Sequence, residues 1–388
     1  MQAIFEAPYL APVAAALLSL IACSLIVATQ HWHGPFTLDG LEGVQKFHTD
    51  PTPRIGGLPI LLGLTGAWLC APPELAKLLG VMLIASMPAL LFGVAEDLSK
   101  RVSARNRLFA TLASGLLACY LQGSGLNRVD VWGVDALFAF WPVSFVFTAI
   151  AVAGMANAIN IIDGFNGLAA GTVLISLAAL GLIAYQVGDQ NLTLLCMILA
   201  GATAGFIVLN FPFGKLFLGD GGAYLMGFML AWTSVLLLLR NPAVSVWAPL
   251  LACGYPVTEV IFSIWRRRQH DMHPFSPDSL HLHSLLKVRV VMFHFHHWRP
   301  VLRNAMVSPV MWLYAMVPAL AGTVFYQHTL WLTAAAAVSA LVYFFAYRGL
   351  ERRKTVRHAK TFDLRAKAAA RSTTAGKQVS GQQVRSKY

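Results

Sequence analysis

Apolar stretches of about 20 residues recur along this chain, and they limit the folds that are open to it. A helix needs about 20 residues to cross roughly 30 Å of hydrocarbon, and a segment in lipid must satisfy all its backbone hydrogen bonds internally. Of the 388 residues, 57% are hydrophobic and 12% are charged, and the mean hydropathy is +0.62. This composition excludes an ordinary soluble enzyme. We therefore predict an all-α polytopic membrane protein.

The apolar stretches predict about eleven transmembrane helices. They cover residues 9–29, 55–73, 77–95, 107–123, 139–158, 167–187, 192–211, 219–239, 244–264, 308–327 and 329–347. The last two are separated by a very short connection, Tyr326 to Leu330.

Lysine and arginine residues accumulate in alternate connections, and this asymmetry orients the helices. They cluster after the third and the ninth helix, and from Arg348 onward twelve basic residues stand against two acidic ones. We expect the N terminus outside and the C terminus in the cytoplasm. A membrane domain would then occupy residues 1–347, followed by a basic, disordered cytoplasmic tail over 348–388. Anionic lipid head groups, and not nucleic acid, are the expected partner of that tail.

Acids, amides and imidazoles stand where the predicted helices end on the cytoplasmic side. They are Glu96, Asp97, Asn160, Asp163, Asn166, Asp220, His281 and His283. Odd-to-even connections of a bundle all emerge on one side, so these residues are expected to meet at one surface. Two acids at a helix C terminus are unfavourable, so Glu96 and Asp97 need cations, either nearby Arg or Lys residues or a metal ion.

Glycines surround Asp220 at the start of the eighth predicted helix. Glycines let a ligand approach the backbone, and N–H groups at a helix N terminus attract phosphate. Mg²⁺ takes one or two protein carboxylates and fills its other positions with water and phosphate oxygens. The sequence therefore predicts a metal and phosphate site here, to which Thr52 and Arg54 of the first cytoplasmic connection would add phosphate or sugar contacts.

Each of these segments also has a plainer explanation when it is taken alone. Asn160 and Asp163 suit an interhelical turn, and Glu96 suits a solvated helix end. His281 and His283 are two residues apart, so they need a bend in the chain to act on one ligand. Glu259, an acid within the ninth predicted span, is either functional or a structural partner of an arginine or hydroxyl group.

In their order along the chain, these segments resemble the polyprenyl-phosphate N-acetylhexosamine-1-phosphate transferase superfamily, with a match from about Thr52 to His283. The resemblance implies a transfer that depends on Mg²⁺ or Mn²⁺. Sugar 1-phosphate would pass from a UDP-N-acetyl sugar to a lipid phosphate, releasing UMP, at a site facing the cytoplasm of a bacterial inner membrane.

The resemblance also implies roles for single residues. Asp220 would be the principal metal ligand, and Asp97 would activate the lipid phosphate or serve the metal. Asn160 and Asp163, together with Gly219 and Asn166, would bind substrate, Phe217 would stack on uracil, and His281 and His283 would contact the diphosphate. The chain departs from the commonest pattern at Glu96, where aspartate is usual, at Asn166, where an acid often stands, and at Ser284, where a third histidine may follow.

UDP-GlcNAc and undecaprenyl phosphate are the expected substrates, because the run from Glu96 to Arg101 and the stretch before His281 are closer to the branch that initiates O-antigen and lipopolysaccharide. A phospho-MurNAc-pentapeptide transferase of peptidoglycan synthesis is the alternative. From another class, a cation-coupled transporter would also place acids in a membrane. Single-step and phospho-enzyme routes both stay open, as does homodimer formation.

Overall fold

The computed structural model describes residues 9–39, 51–269 and 280–352, and within these ranges the protein is almost entirely helical. The longer helices are α1 (Leu10–Ala28), α3 (Gly57–Cys70), α4 (Pro73–Ser99), α5 (Ala104–Gln122), α6 (Trp141–Ile162), α7 (Leu168–Gln186), α8 (Gln190–Asn210), α9 (Gly219–Arg240), α11 (Gly254–Gln269), α15 (Val307–Val324) and α16 (Thr329–Arg352). The shorter elements are α2 (Gln30–Thr37), β1 (Leu38–Asp39), β2 (Thr52–Pro53), a 3₁₀ turn (Asp135–Ala139), α10 (Trp247–Ala252), α12 (Leu282–Leu286), a π-helical turn (Lys287–Val291), α13 (Met292–His294) and α14 (Pro300–Ala305).

Every predicted span coincides with a helix or with two consecutive helices. Eight helices in the described ranges are long and apolar enough to cross a membrane. Of the three remaining spans, α5 has 19 residues but is not among the eight, α3 is shorter at 14 residues, and the span at 244–264 is divided into α10 and α11. The prediction of an all-α polytopic membrane protein is confirmed, whereas the number of crossings and their orientation stay predictions. The tail prediction falls mostly on residues 353–388, which lie outside the described residues.

Helix α9 occupies the centre of the bundle. In its most apolar stretch 89% of the residues are buried, compared with 11% in α16 at the periphery. A helix that is apolar all round belongs in such a central position. Glycines let its neighbours approach closely, because a Cβ atom on Gly93 of α4 would lie 2.5 Å from the Gly221 Cα, and one on Gly57 of α3 would lie 2.5 Å from the Gly222 backbone nitrogen. Small residues serve the same purpose at other membrane helix crossings.

The segment that leads into α3 is joined to the start of α9 through backbone hydrogen bonds. The N–H of Phe217 donates to the Pro53 carbonyl at 2.8 Å, and the N–H of Gly56 donates back to the Phe217 carbonyl at 2.9 Å. Strand β2, which lies in this segment, also pairs antiparallel with β1. Residues 52–57 and 217–222 therefore form one unit, although about 160 residues separate them in sequence.

Candidate functional site

Asp97 of α4 caps the N terminus of α9. Its Oδ1 accepts a hydrogen bond from the Asp220 N–H and its Oδ2 accepts one from the Gly221 N–H, each at 2.9 Å. The first N–H groups of a helix have no partner within the helix, and a carboxylate stabilises them. The expectation that these N–H groups would bind phosphate is wrong for Asp220 and Gly221, because the Asp97 carboxylate already occupies both.

Gly219, the residue before Asp220, can only be glycine in this arrangement. Its φ angle is +75°, and a Cβ atom there would lie 2.5 Å from the Arg54 carbonyl oxygen and 2.6 Å from Asp97 Oδ2. Other residues disfavour such a φ angle, and the space for a side chain is already filled. Gly219 therefore allows the backbones of α9 and the first connection to meet against Asp97.

Asp220 is 2% exposed. Each of its two carboxylate oxygens pairs with an arginine. Arg54 Nη2 donates to Oδ1 and Arg107 Nη1 donates to Oδ2, and Arg54 Nε also lies 3.4 Å from Asp97 Oδ1. A buried carboxylate needs such partners, since burying an unpaired charge is very costly. The sequence analysis included Arg54 in the site, but it did not predict that Arg107, one of the basic residues after the third predicted helix, would pair with Asp220. The two adjacent acids at 96–97 were the available signal, because they required cations nearby.

Asp163 joins this cluster from the end of α6. Its carboxylate lies within electrostatic range of Arg54 and Asp97 and near the Gly219 N–H. Burial raises the pKa of Asp163 to about 8, against the opposing effect of Arg54; Asp97 raises it further and the Gly219 N–H lowers it. Three acids from three distant segments therefore share one end of the bundle with two arginines. We call Arg54, Asp97, Arg107, Asp163 and Asp220 the acid–arginine cluster.

Glu96 and Asn160 make different contacts from their neighbours in the predicted site. Glu96 Oε2 accepts a hydrogen bond from the Val102 N–H at 2.8 Å, so its side chain closes the turn after its own helix. The half-buried Asn160 lies one helical turn before Asp163, and its backbone carbonyl accepts a hydrogen bond from the Asp163 N–H at 3.3 Å. Their roles in substrate binding or catalysis stay predictions.

His281 and His283 are brought together by a bend at the start of α12. His281 is the extended residue before the helix, and the two imidazole rings stack with centroids 5.2 Å apart and an interplanar angle of 12°. The fully buried Glu259 of α11 lies beneath them, with Oε1 2.9 Å from His281 Nδ1 and Oε2 3.8 Å from His283 Nδ1. The Tyr255 hydroxyl also lies 2.9 Å from His283 Nδ1. Glu259, a residue outside the predicted site list, therefore orients both histidines.

The turn after Asp163 contacts the histidine pair. The ring of Phe165 contacts His283 edge to face, with centroids 5.6 Å apart. A Cβ atom on Gly164 would lie 3.8 Å from His283 Nε2. His283 consequently lies against the short segment that follows Asp163.

A cavity of about 350 Å³ lies beside the cluster. Thr52, Asn166 and Phe217, all predicted to bind substrate, line it together with Lys215 and Asn304. The Asn166 amide nitrogen donates to the Pro212 carbonyl at 2.9 Å, and its backbone carbonyl accepts from the Ser308 hydroxyl at 2.6 Å. Asn166 therefore also holds the cavity wall together.

The donor set of this site fits a magnesium ion that is held partly by substrate. Among the described residues, no group of three His, Cys, Asp or Glu side chains is placed to hold a metal by itself. Mg²⁺ commonly binds through one or two carboxylates, with phosphate oxygens and water completing its shell. Asp220 and Asp97 supply such hard oxygen donors. The ion pairs of Asp220 with Arg54 and Arg107 show that positive charge surrounds its carboxylate.

Comparison with known proteins shows similarity across the segment that holds the three acids. The family model described as "Glycosyl transferase family 4" matches residues 79–238. The chain is 31% identical over 289 residues to the decaprenyl-phosphate N-acetylglucosaminephosphotransferase of Mycobacterium tuberculosis, covering 66% of this chain and 69% of that protein. It is 27% identical over 293 residues to a probable undecaprenyl-phosphate N-acetylglucosaminyl 1-phosphate transferase of Bacillus subtilis, covering 74% and 77%.

A third relative is named for the transfer of a different sugar phosphate. The phospho-N-acetylmuramoyl-pentapeptide-transferase of Streptococcus pyogenes is 30% identical over 218 residues, which cover 50% of this chain and 64% of that protein.

Proposed function

Since this chain belongs to glycosyl transferase family 4 and is a multi-pass membrane enzyme that transfers a sugar 1-phosphate to a polyprenyl phosphate, we propose that its donor is UDP-GlcNAc and its acceptor undecaprenyl phosphate. The products would be UMP and a lipid-linked GlcNAc diphosphate. Two similar proteins named for transfer of N-acetylglucosamine 1-phosphate support this choice of donor.

The acid–arginine cluster is the observation that carries the proposal. A polyprenyl chain stays in lipid while its phosphate meets a water-soluble nucleotide, so the reaction needs a polar site at the end of a membrane bundle. Asp97, Asp163 and Asp220 meet there with Arg54 and Arg107. Phosphoryl transfer depends mainly on alignment and on neutralising charge, and this cluster provides charged groups of both signs.

The residues of the cluster have separable tasks in this proposal. Arg54 and Arg107 bind and orient phosphate oxygens, because a guanidinium presents several donors in a fixed plane. Bound Mg²⁺, held by Asp220 with Asp97, would neutralise charge on the diphosphate. His281, held through Nδ1 by Glu259, keeps its other ring nitrogen, Nε2, for contact with the diphosphate.

We favour direct displacement as the chemical step. An oxygen of the lipid phosphate attacks the sugar-linked β-phosphorus, a new P–O bond forms, and the bond to the UMP oxygen breaks with its electron pair leaving on UMP. In a two-step route through Asp97, the carboxylate itself would attack. Both Asp97 oxygens accept backbone hydrogen bonds, which stabilise the ionised carboxylate and weaken it as a nucleophile.

We propose further that the site faces the cytoplasm of a bacterial inner membrane and that its product starts an O-antigen or related lipid-linked cell-surface glycan. The basic connections after the predicted third and ninth helices support this orientation. Arg107 in the first of them belongs to the cluster itself.

Release of UMP from UDP-GlcNAc tests the proposal. Purified protein in detergent is given undecaprenyl phosphate and Mg²⁺, and we expect UMP and a lipid-linked product only when both substrates are present. EDTA should stop the release and added Mg²⁺ or Mn²⁺ should restore it. An Asp220→Asn variant that is still folded should lose turnover.

A panel of donors separates the alternatives. Turnover with UDP-MurNAc-pentapeptide in place of UDP-GlcNAc would assign the chain to the branch of its Streptococcus pyogenes relative. If none of the UDP-amino sugars gave UMP, the result would contradict the transferase proposal. The cation-coupled transporter would then be the hypothesis to test.

A further inference from the structure

Tyr255 of α11 directs a buried hydroxyl group at His283. The tyrosine is completely buried, and its hydroxyl oxygen lies 2.9 Å from His283 Nδ1. Among the described residues, this nitrogen is the one hydrogen-bond partner of the hydroxyl. Buried O–H groups are nearly always paired with an acceptor. The hydroxyl proton is satisfied only when Tyr255 donates and His283 Nδ1 accepts.

The carboxylate of Glu259 is the competing acceptor for this proton. Its Oε1 lies 2.9 Å from His281 Nδ1 and accepts from the Leu282 N–H at 3.3 Å. Its Oε2 has no hydrogen-bond partner in the part of the chain that the structure describes, and it lies 3.8 Å from His283 Nδ1, which is too long for a hydrogen bond. Tyr255 therefore does not donate to Glu259, and His283 is the acceptor that remains.

The two stacked imidazole rings use the same ring nitrogen in opposite ways. His281 Nδ1 faces a carboxylate, which can only accept, so this nitrogen carries a proton. His283 Nδ1 faces a hydroxyl donor, so it carries none. A neutral imidazole has a single N–H group, and the partner of one nitrogen decides where that proton lies. The contacts thus place the proton of His283 on Nε2.

Positive charge near His283 also favours its neutral form. Its ring lies parallel to that of His281, with centroids 5.2 Å apart, so two imidazolium ions would repel each other. The ammonium group of Lys287 lies 5.9 Å from the centroid of the Phe165 ring, which contacts His283 edge to face. Of the two histidines, His281 has the shorter contact with Glu259 and is the one whose charge this carboxylate balances.

His283 Nε2 lies beside the turn that follows Asp163. A Cβ atom on Gly164 would be 3.8 Å from this nitrogen, so glycine leaves the space next to it without a side chain. Asp163 itself belongs to the acid–arginine cluster. A hydrogen-bond donor is therefore held next to the segment that carries one of the three acids.

We propose that Tyr255 is a positioning residue, which holds His283 as the neutral Nε2–H tautomer so that it donates a hydrogen bond to the diphosphate of the donor substrate; this inference rests on the proposed function. Without the hydroxyl, Oε2 of Glu259 would attract a proton to His283 Nδ1. Nε2 would then present a lone pair to phosphate oxygens, which only accept. His281 differs, because its Nε2 becomes a donor only in the imidazolium form.

Nitrogen NMR of the full-length protein in detergent, with isotope-labelled histidine, tests the tautomer directly. Protonated and unprotonated ring nitrogens have separate chemical shifts, and the His283 signals are those missing from His283→Gln. We expect a protonated Nε2 in the wild type and a proton moved to Nδ1, or shared between both nitrogens, in Tyr255→Phe.

Tyr314→Phe is the matched control for the loss of a hydroxyl group. The Tyr314 ring contacts that of Tyr255 edge to face, with centroids 5.9 Å apart, but its hydroxyl donates to the Ser339 carbonyl. The His283 signals should therefore be the same in Tyr314→Phe as in the wild type.

Steady-state kinetics show whether the tautomer serves the reaction. Hydrogen bonds to charged groups are among the stronger ones, so Tyr255→Phe should lower kcat/KM for UDP-GlcNAc roughly 10- to 100-fold. In His283→Gln the glutamine NH₂ group replaces the Nε2–H donor and has no tautomers, so we expect measurable activity and little further loss on adding Tyr255→Phe. Such non-additivity identifies a residue that acts through another.

A wild-type His283 that is protonated at Nδ1 would overturn the inference, and this result needs no variant to fold. Equal losses from Tyr255→Phe with His283 and with Gln at position 283 would also overturn it, because they would show a general effect on packing. Absence of UMP release by the wild type would instead contradict the proposed function, and the NMR spectrum would still decide the tautomer.

Discussion

The carboxylate of Asp97 holds the backbone of Asp220, although 123 residues separate them in sequence. The two oxygens of Asp97 accept the N–H groups of Asp220 and Gly221, and the side chain of Asp220 turns from the same backbone toward Arg54 and Arg107. One acid therefore fixes the position of the other. Loss of activity on replacing Asp97 would not by itself distinguish a chemical from a positioning role.

Asp97→Asn should lower the stability of the protein as well as its turnover. An asparagine oxygen can replace one carboxylate oxygen, but its NH₂ group would face the second N–H donor. Hydrogen bonds to charged groups contribute about 1.5–3 kcal/mol, and thermal unfolding in detergent should show a loss of that order. Glu96→Gln is the matched control, because glutamine can still accept from the Val102 N–H. Equal midpoints for Asp97→Asn and the wild type would refute the capping role.

Arg107→Ala should abolish most UMP release. Asp220 is buried, and removing one partner of a buried ion pair typically costs about 3–5 kcal/mol. Arg107→Lys should recover only part of the activity, since lysine lacks the planar fork of donors. The exposed Arg105, in the same helix turn, provides the control, and Arg105→Ala should retain wild-type rates. If both alanine variants behaved alike, Arg107 would have no role beyond that of the other basic residue at the start of α5.

Gly219→Ala should be more damaging than an alanine at another glycine of similar φ angle. Gly219 and Gly188 have φ angles of +75° and +79°, but a Cβ atom at Gly188 meets nothing within 4 Å. The left-handed conformation alone costs an L-residue about 1–2 kcal/mol, which Gly188→Ala should show. Gly219→Ala adds the clash with Asp97 and Arg54, so its unfolding midpoint should fall further and its turnover should drop. Similar midpoints would argue against close packing at Asp97.

The raised pKa of Asp163 predicts a loss of stability with rising pH in metal-free protein. Its pKa is about 8 when folded, compared with an ordinary value of 3.8. Between these values the native state holds a proton that the unfolded state has released, so this contribution to stability is lost as pH rises from about 4 to 8. Asp163→Asn does not titrate. The midpoint of the wild type relative to that variant should therefore decline over this range in EDTA and level off above it; a constant difference would contradict the raised pKa.

Glu259→Leu should reduce kcat more than Glu259→Gln, because glutamine keeps an oxygen that can accept from His281 Nδ1 while leucine does not. Steady-state rates with UDP-GlcNAc measure the difference, and thermal unfolding checks the fold. Glu74→Gln is a suitable control, since that exposed acid lies at the other end of the helix that carries Asp97. Equal kcat values for the leucine variant and the wild type would remove Glu259 from the orientation of the histidines.

Local chemistry explains why much of the architecture could be predicted. Each apolar stretch long enough to cross a bilayer became a helix, since backbone groups in lipid have few other ways to form their hydrogen bonds. The side on which a connection emerges alternates with helix number, so the meeting of Asp97, Asp163 and Asp220 at one end was also foreseeable. The sequence could not tell which of the adjacent acids faces inward, because that depends on how far α4 is rotated about its own axis.

The sequence by itself determined the class of fold, the approximate limits of the helices and the end of the bundle at which the acids gather, because these depend on hydrophobicity and on counting along the chain. Only the tertiary structure decided that Arg107 pairs with Asp220, that Glu259 holds His281, and that the Asn304 amide lines the cavity beside Phe217. Such pairings join residues far apart in sequence. They depend on helix crossings set by glycine contacts such as that of Gly93 with Gly221, which no local pattern encodes.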